Sequence, residues 1–95
     1  MRSGFVYIMT NKRNGTLYIG VTSNLVSRVT QHREGHGSEF TTRYGLTMLV
    51  WYEEWARIAD AIQRETSLKR WPRKWKLALI EKHNPDWRDL YGEIL

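Results

Sequence analysis

Five side chains able to move protons or hold anions and cations recur at suggestive intervals in this chain: Tyr7, Tyr18, Arg28, His32 and Glu65. A phenol and an imidazole can each give and take a proton, and a guanidinium holds phosphate or carboxylate oxygens with a rigid planar fork. Arg28 and His32 are four residues apart, which puts them on one face of a helix. Glu65 is an anomaly in its surroundings. Ile58, Ala61, Ile62 and Leu68 follow a helical stripe at spacings of three and four, and Glu65 stands on that stripe between Ile62 and Leu68. A carboxylate on an inward-facing position must be paired or must hold a cation, because burying it alone is costly. Two readings therefore stand side by side: an ion pair with Lys69 or Arg28, and a bound cation.

The elements that must position these groups can be read from the pattern around them. Phe5 to Met9 and Thr16 to Val21 are runs of β-formers on either side of a turn-rich segment containing Asn14-Gly15, a strong hairpin signal. With Asn11 to Asn14 as the tip, Tyr7 lies opposite Tyr18, the two β-carbons about 5 Å apart, and Val6, Ile8, Leu17 and Ile19 point to the other face. The bland account of two such rings is an aromatic cross-strand pair that stabilises the sheet. Thr22, Ser23 and Asn24 offer N-caps for a helix whose inward stripe is Leu25, Val26 and Val29, with Arg28 beside it. Tyr7, Tyr18, Arg28 and Glu65 should then converge on one solvent-accessible concavity, on the sheet face opposite Val6 and Ile8, with His32 at its flank.

Further along, Gly35 to Ser38 breaks the helix, and Glu39 onward forms a short helical turn closed by Gly45. Thr47 to Trp55 is the candidate third strand, and Ile58 to Arg70 an amphipathic helix. Pro72 opens a last helix to about Lys82, with Trp71, Trp75, Ala78 and Leu79 as its apolar stripe. His83-Asn84-Pro85 stops it, and the tail packs as a turn or short helix through Trp87, Leu90 and Leu95. His32 and His36 have the spacing of a helical metal pair, but Gly35 interrupts the helix between them, so zinc is disfavoured there.

Composition bounds what this chemistry serves. Ninety-five residues without cysteine form one domain, spanning 1–95, with neither disulfides nor thiolate metal sites. No apolar run is long enough for a membrane span or a secretory leader, so the cytoplasm is the default location. The net charge of +5 is uneven. Residues 1–33 carry Arg2, Lys12, Arg13, Arg28 and Arg33 with no acid, and residues 66–83 carry Lys69, Arg70, Arg73, Lys74, Lys76 and Lys82 against Glu81 alone. Such faces, interleaved with aromatics, attract polyanions, and Arg33, Arg70, Arg73, Lys74 and Lys76 are the candidate nucleic-acid contacts. The alternative is a solvated helix face that serves solubility.

These residues resemble the GIY-YIG endonucleases. The signature of that family is two tyrosine tripeptides about ten residues apart, then an arginine on the next helix and a histidine or tyrosine one turn further. Here Tyr18-Ile19-Gly20 is intact and ten residues separate Tyr7 from Tyr18, while Phe5-Val6-Tyr7 replaces the family's Gly-Ile-Tyr but keeps its tyrosine. The resemblance covers nearly the whole chain. It implies an α/β (α+β) fold, a small three-stranded antiparallel sheet flanked by helices in the order β-β-α-β-α-α. It also implies a metal-dependent endonuclease that hydrolyses phosphodiester bonds, with DNA favoured over RNA.

On that resemblance Tyr7 or Tyr18 helps to deprotonate water, Arg28 holds phosphate oxygens, and His32 orients a phenol, relays its proton or contacts phosphate. Glu65 holds one Mg²⁺ or Mn²⁺, with Lys69 as its companion. Asn84 helps to place the phosphate, and Gly20 belongs to the substrate-binding surface. Without an appended recognition domain, sequence specificity should be weak, and any targeting falls to a partner protein. Two other classes of function remain: a noncatalytic nucleic-acid-binding module on the same fold, and a protein-interaction adaptor, for which tryptophan content alone speaks.

Overall fold

The hairpin is set by its turn. In the computed structural model, which describes residues 2–95, the Gly15 N–H donates to the Lys12 carbonyl at 2.9 Å and Asn14 takes a left-handed φ of 57°. Asparagine tolerates that conformation. Asn11 Oδ1 accepts from the Thr16 N–H at 3.1 Å, so the loop runs from Asn11 to Thr16. It is longer than the expected tip, and the register shifts with it. Strand β1 (Gly4–Thr10) pairs with β2 (Leu17–Thr22) so that Tyr7 faces Gly20 and Tyr18 faces Met9. The expected Tyr7–Tyr18 pairing is corrected to a diagonal one. A slip of two positions keeps every side chain on its own face, because the strand period is two.

The remaining elements are α1 (Leu25–Arg33), α2 (Glu39–Tyr44), β3 (Met48–Trp55), α3 (Ile58–Arg70), α4 (Arg73–His83) and α5 (Tyr91–Ile94). The sheet is antiparallel throughout in the order β2-β1-β3, so β2 is an edge. Helix α1 is capped by Asn24, whose side chain accepts from the Ser27 N–H, and Gly35 at φ 83° carries the chain out beyond its end. Helix α2 stops at Gly45 in the left-handed conformation, as the sequence leads one to expect, and starts at the Ser38 cap, which the sequence pattern places only in the break before it.

Each face of the sheet buries its own layer. Tyr7, Met9 and Leu49 pack with Leu25 and Val29 of α1, Leu46 and Leu90. Val6, Ile8, Ile19, Val50 and Trp51 pack with Ala61 and Leu68 of α3, Ile80 of α4 and Trp87. Several apolar assignments are corrected, among them Ala78 of α4, which is exposed. Ile62 is 49% exposed and Trp75 is 56% exposed, so α3 turns inward through Ala61 and Leu68, and α4 through Leu77 and Ile80. Val26 and Leu95 also lie at the surface. Arg73 ties α4 to the hairpin tip by donating to the Asn14 and Gly15 carbonyls, each at 2.7 Å. Among the described residues no helix is long and apolar enough to cross a membrane.

Candidate active site

Tyr7 and Tyr18 project from the same face of the hairpin, their ring centroids 6.3 Å apart. Gly20 makes room for the first of them. A β-carbon at Gly20 would overlap the phenol of Tyr7, including its hydroxyl. The place of Gly20 in the tripeptide is thus explained by ring packing, and the expectation that it touches nucleic acid is corrected: Gly20 is buried beneath Tyr7.

The inner face of α1 delivers His32 between the two phenols, with centroids 5.6 Å from Tyr7 and 5.3 Å from Tyr18. Its Nε2 lies 2.8 Å from the Tyr7 hydroxyl, and its Nδ1 lies 2.9 Å from Thr41 Oγ1 on α2. Tyr7 and His32 are each 1% exposed. Gly37 closes over the imidazole so tightly that a β-carbon there would overlap the ring. Direct contact of His32 with phosphate is therefore corrected, and so is the expectation of an open concavity around Tyr7. The role left to His32 is that of partner to a phenol.

Burial dominates the protonation states. It pushes the Tyr7 phenol up to about 12, with Tyr18 and Glu65 adding to the rise and the neighbouring Arg28 guanidinium opposing it. Burial, followed by the Arg28 charge, lowers His32 to about 4. Both groups are neutral at pH 7. This sets an expected acid response. Between pH 6.5 and 5 the unfolded chain takes up a proton on this histidine that the folded chain refuses, so stability falls on acidification, by about 2 kcal/mol at pH 5. Melting curves at stepped pH measure it, and a melting temperature that is flat across this window would contradict a buried neutral imidazole.

Arg28 sits half-buried on α1, close enough to Tyr7 to influence its phenol, and donates to Gln31 Oε1 at 3.0 Å. The expectation that Glu65 shares the sheet face of the phenols is corrected: it comes from α3, which packs on the Val6 and Ile8 face, yet its charge also reaches Tyr7. Its carboxylate pairs with Lys69 Nζ at 3.1 Å, one of the two partners the sequence left open. An open groove of about 300 Å³ is lined by Leu17, Tyr18, Ile19, Phe40, Lys69 and Lys76. Tyr18 belongs to one layer and Ile19 to the other, so the groove follows the free edge of β2 rather than one face of the sheet.

No cluster of three or more metal-ligating side chains occurs among the described residues. The donor set nevertheless suits a hard cation held by few protein oxygens. Glu65 offers one carboxylate, its side chain 14% exposed, and its partner Lys69 is a flexible and more exposed amine that can swing away. His36 is exposed beyond Gly35, so the spacing of His32 and His36 makes no metal pair.

Several candidates serve the fold instead. Asn84 is corrected from a phosphate-placing residue to a staple. Its side-chain N–H groups donate to the carbonyls of Val50 and Arg88, and its Oδ1 accepts from the Arg88 N–H, all in a buried setting. Both amide hydrogens are used and the side chain is buried, so the amide is not presented to a ligand. Arg33 is likewise committed, paired with Asp89, donating to the Thr47 carbonyl and lying over the Tyr91 ring. Arg73 holds the hairpin tip. Arg70 and Lys74 are exposed, while Lys76 donates to the Lys69 carbonyl and lines the groove. Sequence reasoning missed Thr41, Gly37 and Phe40. Ser38 and Gly45 signal the helix that carries Thr41 and Phe40, but nothing local signals which of its sides turns inward.

Comparison with known proteins gives the same outline. A family model described as the GIY-YIG catalytic domain matches residues 3–78. The chain is 34% identical over 82 residues to a UPF0213 protein of Staphylococcus haemolyticus, a match covering 86% of this chain and 99% of that protein. It is 30% identical over 81 residues to a UPF0213 protein of Pediococcus pentosaceus, covering 85% of each. The solution NMR structure of a UPF0213 protein from Bacillus halodurans has the same fold, with a TM-score of 0.57 at 24% identity over 92% of both chains.

Proposed function

From the premise that this chain belongs to the GIY-YIG nuclease family, we propose that it is an endonuclease hydrolysing phosphodiester bonds in DNA with the help of Mg²⁺ or Mn²⁺. The observation that carries this reading is the buried Tyr7–His32 hydrogen bond, set beside Arg28 and within electrostatic reach of Glu65.

Hydrolysis needs a deprotonated water, charge compensation on the phosphoryl oxygens and a stabilised leaving oxygen. Tyr7 is the phenol with a base attached. Tyr7 is sealed in the free protein, so its part in the reaction requires substrate binding to admit a water beside Arg28; as that water attacks phosphorus, its proton moves to the Tyr7 oxygen while the Tyr7 proton moves to His32 Nε2. Because the phenol is held high and the imidazole low, the pair is neutral at rest and the two transfers accompany attack rather than precede it. Arg28 binds the non-bridging oxygens through its fork. A bound phosphate would also offset the Arg28 charge, which adds to burial in keeping His32 from accepting a proton. Tyr18, lining the groove, contacts the bound strand, and Lys69 and Lys76 hold its phosphates. A divalent cation on Glu65 would supply Lewis-acid charge at the phosphate.

The test is incubation of the purified protein with labelled DNA and RNA structures in Mg²⁺, Mn²⁺ or EDTA. Metal-dependent internal cleavage is expected. Binding measured in EDTA should weaken steeply with salt, with a logarithmic slope of about 0.9 for each duplex phosphate contacted. Salt-sensitive binding without cleavage under any metal would make the protein a binding module instead.

A further inference from the structure

We propose that Thr41 is a positioning residue. Its buried hydroxyl holds His32 in the tautomer that carries its proton on Nδ1, which keeps Nε2 free to take the phenolic proton of Tyr7. The inference rests on the reading of Tyr7 and His32 as a proton relay and names the group that orients it.

The geometry follows from counting donors and acceptors. The Tyr7 hydroxyl is buried and its proton needs an acceptor. The groups around it are few. Arg28 is a donor only, and the hydroxyl's hydrogen-bonding neighbour is His32 Nε2 at 2.8 Å. Nε2 must therefore be the unprotonated nitrogen, and in a neutral ring the proton then sits on Nδ1.

That proton needs an acceptor in turn, and the Thr41 Oγ1 lies 2.9 Å away. Thr41 is free to accept because its own hydroxyl donates elsewhere, to the Ser38 carbonyl at 3.3 Å. The Ser38 hydroxyl, 2.9 Å from Thr41 Oγ1, accepts from the Thr41 N–H at 3.1 Å and can send its proton to Thr41 Oγ1. Every polar hydrogen in the chain Tyr7–His32–Thr41–Ser38 then has an acceptor, and no buried side-chain polar atom among the described residues lacks a partner. The opposite tautomer reverses the two imidazole bonds and leaves the Tyr7 proton with none. The N-cap of α2 thus supplies the acceptor that the Nδ1 proton of this tautomer needs. When His32 takes that proton, the same Oγ1 remains an acceptor of the Nδ1–H of the imidazolium.

The test reads the tautomer without relying on activity. In a His36→Gln/His83→Gln background, where both replaced residues are exposed, His32 is the sole imidazole, and two-dimensional ¹⁵N NMR of its ring at pH 7 should show a protonated Nδ1 and a bare Nε2. Thr41→Val should shift His32 toward the other tautomer and lower single-turnover cleavage tenfold or more, with metal-free DNA affinity unchanged. Thr41→Ser should restore both. A bare Nδ1 in the Thr41 protein would overturn the proposal whether or not Thr41→Val folds, and so would an unshifted tautomer in a folded Thr41→Val protein. If the protein cuts nothing yet shows the predicted tautomer and its shift, the hydrogen-bond assignment stands and the nuclease reading fails.

Discussion

Glu65→Gln should leave the protein folded, with metal-free DNA binding intact, while cleavage falls roughly a thousandfold. The stability half of this expectation comes from the structure. Glu65 pairs with Lys69, whose side chain is 54% exposed, in an i,i+4 arrangement on one helix. Pairs of that kind contribute about 0.5 kcal/mol, and the released lysine returns to water rather than being stranded. Had Glu65 been the buried partner of Arg28, the loss would be about 3 kcal/mol or more. The activity half comes from charge. A neutral amide of the same shape is a far poorer ligand for a hard cation, and losing several kcal/mol of transition-state charge compensation amounts to about three orders of magnitude in rate. A melting scan beside a single-turnover assay separates the two halves. A folded Glu65→Gln protein that cuts at the parent rate would remove Glu65 from the chemistry.

Tyr7→Phe should reduce cleavage by about 10²- to 10⁴-fold, the range expected when a positioned proton acceptor is lost. It should cost about 1–3 kcal/mol in stability as well, because His32 Nε2 is left buried without its donor. Ring packing on Gly20 is nearly preserved, so the variant should keep the shape of the site. Tyr18→Phe is the control that distinguishes the two phenols. Among the described residues Tyr18 has no hydrogen-bonded base, and it lines the groove, so its loss should weaken substrate engagement more than the chemical step. Single-turnover rates at saturating DNA decide between them. A larger rate loss in Tyr18→Phe than in Tyr7→Phe would exchange their roles.

Much of this site was legible in the chain because it rests on periodicities that neighbours enforce. The two tyrosines share a sheet face whichever of two registers the hairpin takes, since a slip of two residues preserves the alternation. Arg28 and His32 lie on one side of α1 because they are separated by about a turn, and Asn24 and Gly45 begin or end helices through bonds and backbone angles local to them. The acid on the α3 stripe was visible as a violation of an apolar pattern. It proved mostly buried beside the more exposed Lys69, outside the apolar core cluster.

What only the tertiary structure decided are choices among distant partners. Asn84 could have faced a ligand or the backbone, and it is the return of the chain at Arg88 and the approach of Val50 that use up its amide. Arg33 looked like a phosphate contact until Asp89, far along the sequence, came to lie against it. Tyr7 and His32 read as groups open to solvent, yet packing of α1 and the Gly37 loop seals both and so sets their protonation. Local pattern dictates backbone angles and which face a side chain takes. Whether that face meets water, a carboxylate or an imidazole depends on segments brought together by folding of the whole chain, and it is that meeting which turns a tyrosine of a cross-strand pair into one end of a buried hydrogen-bonded relay.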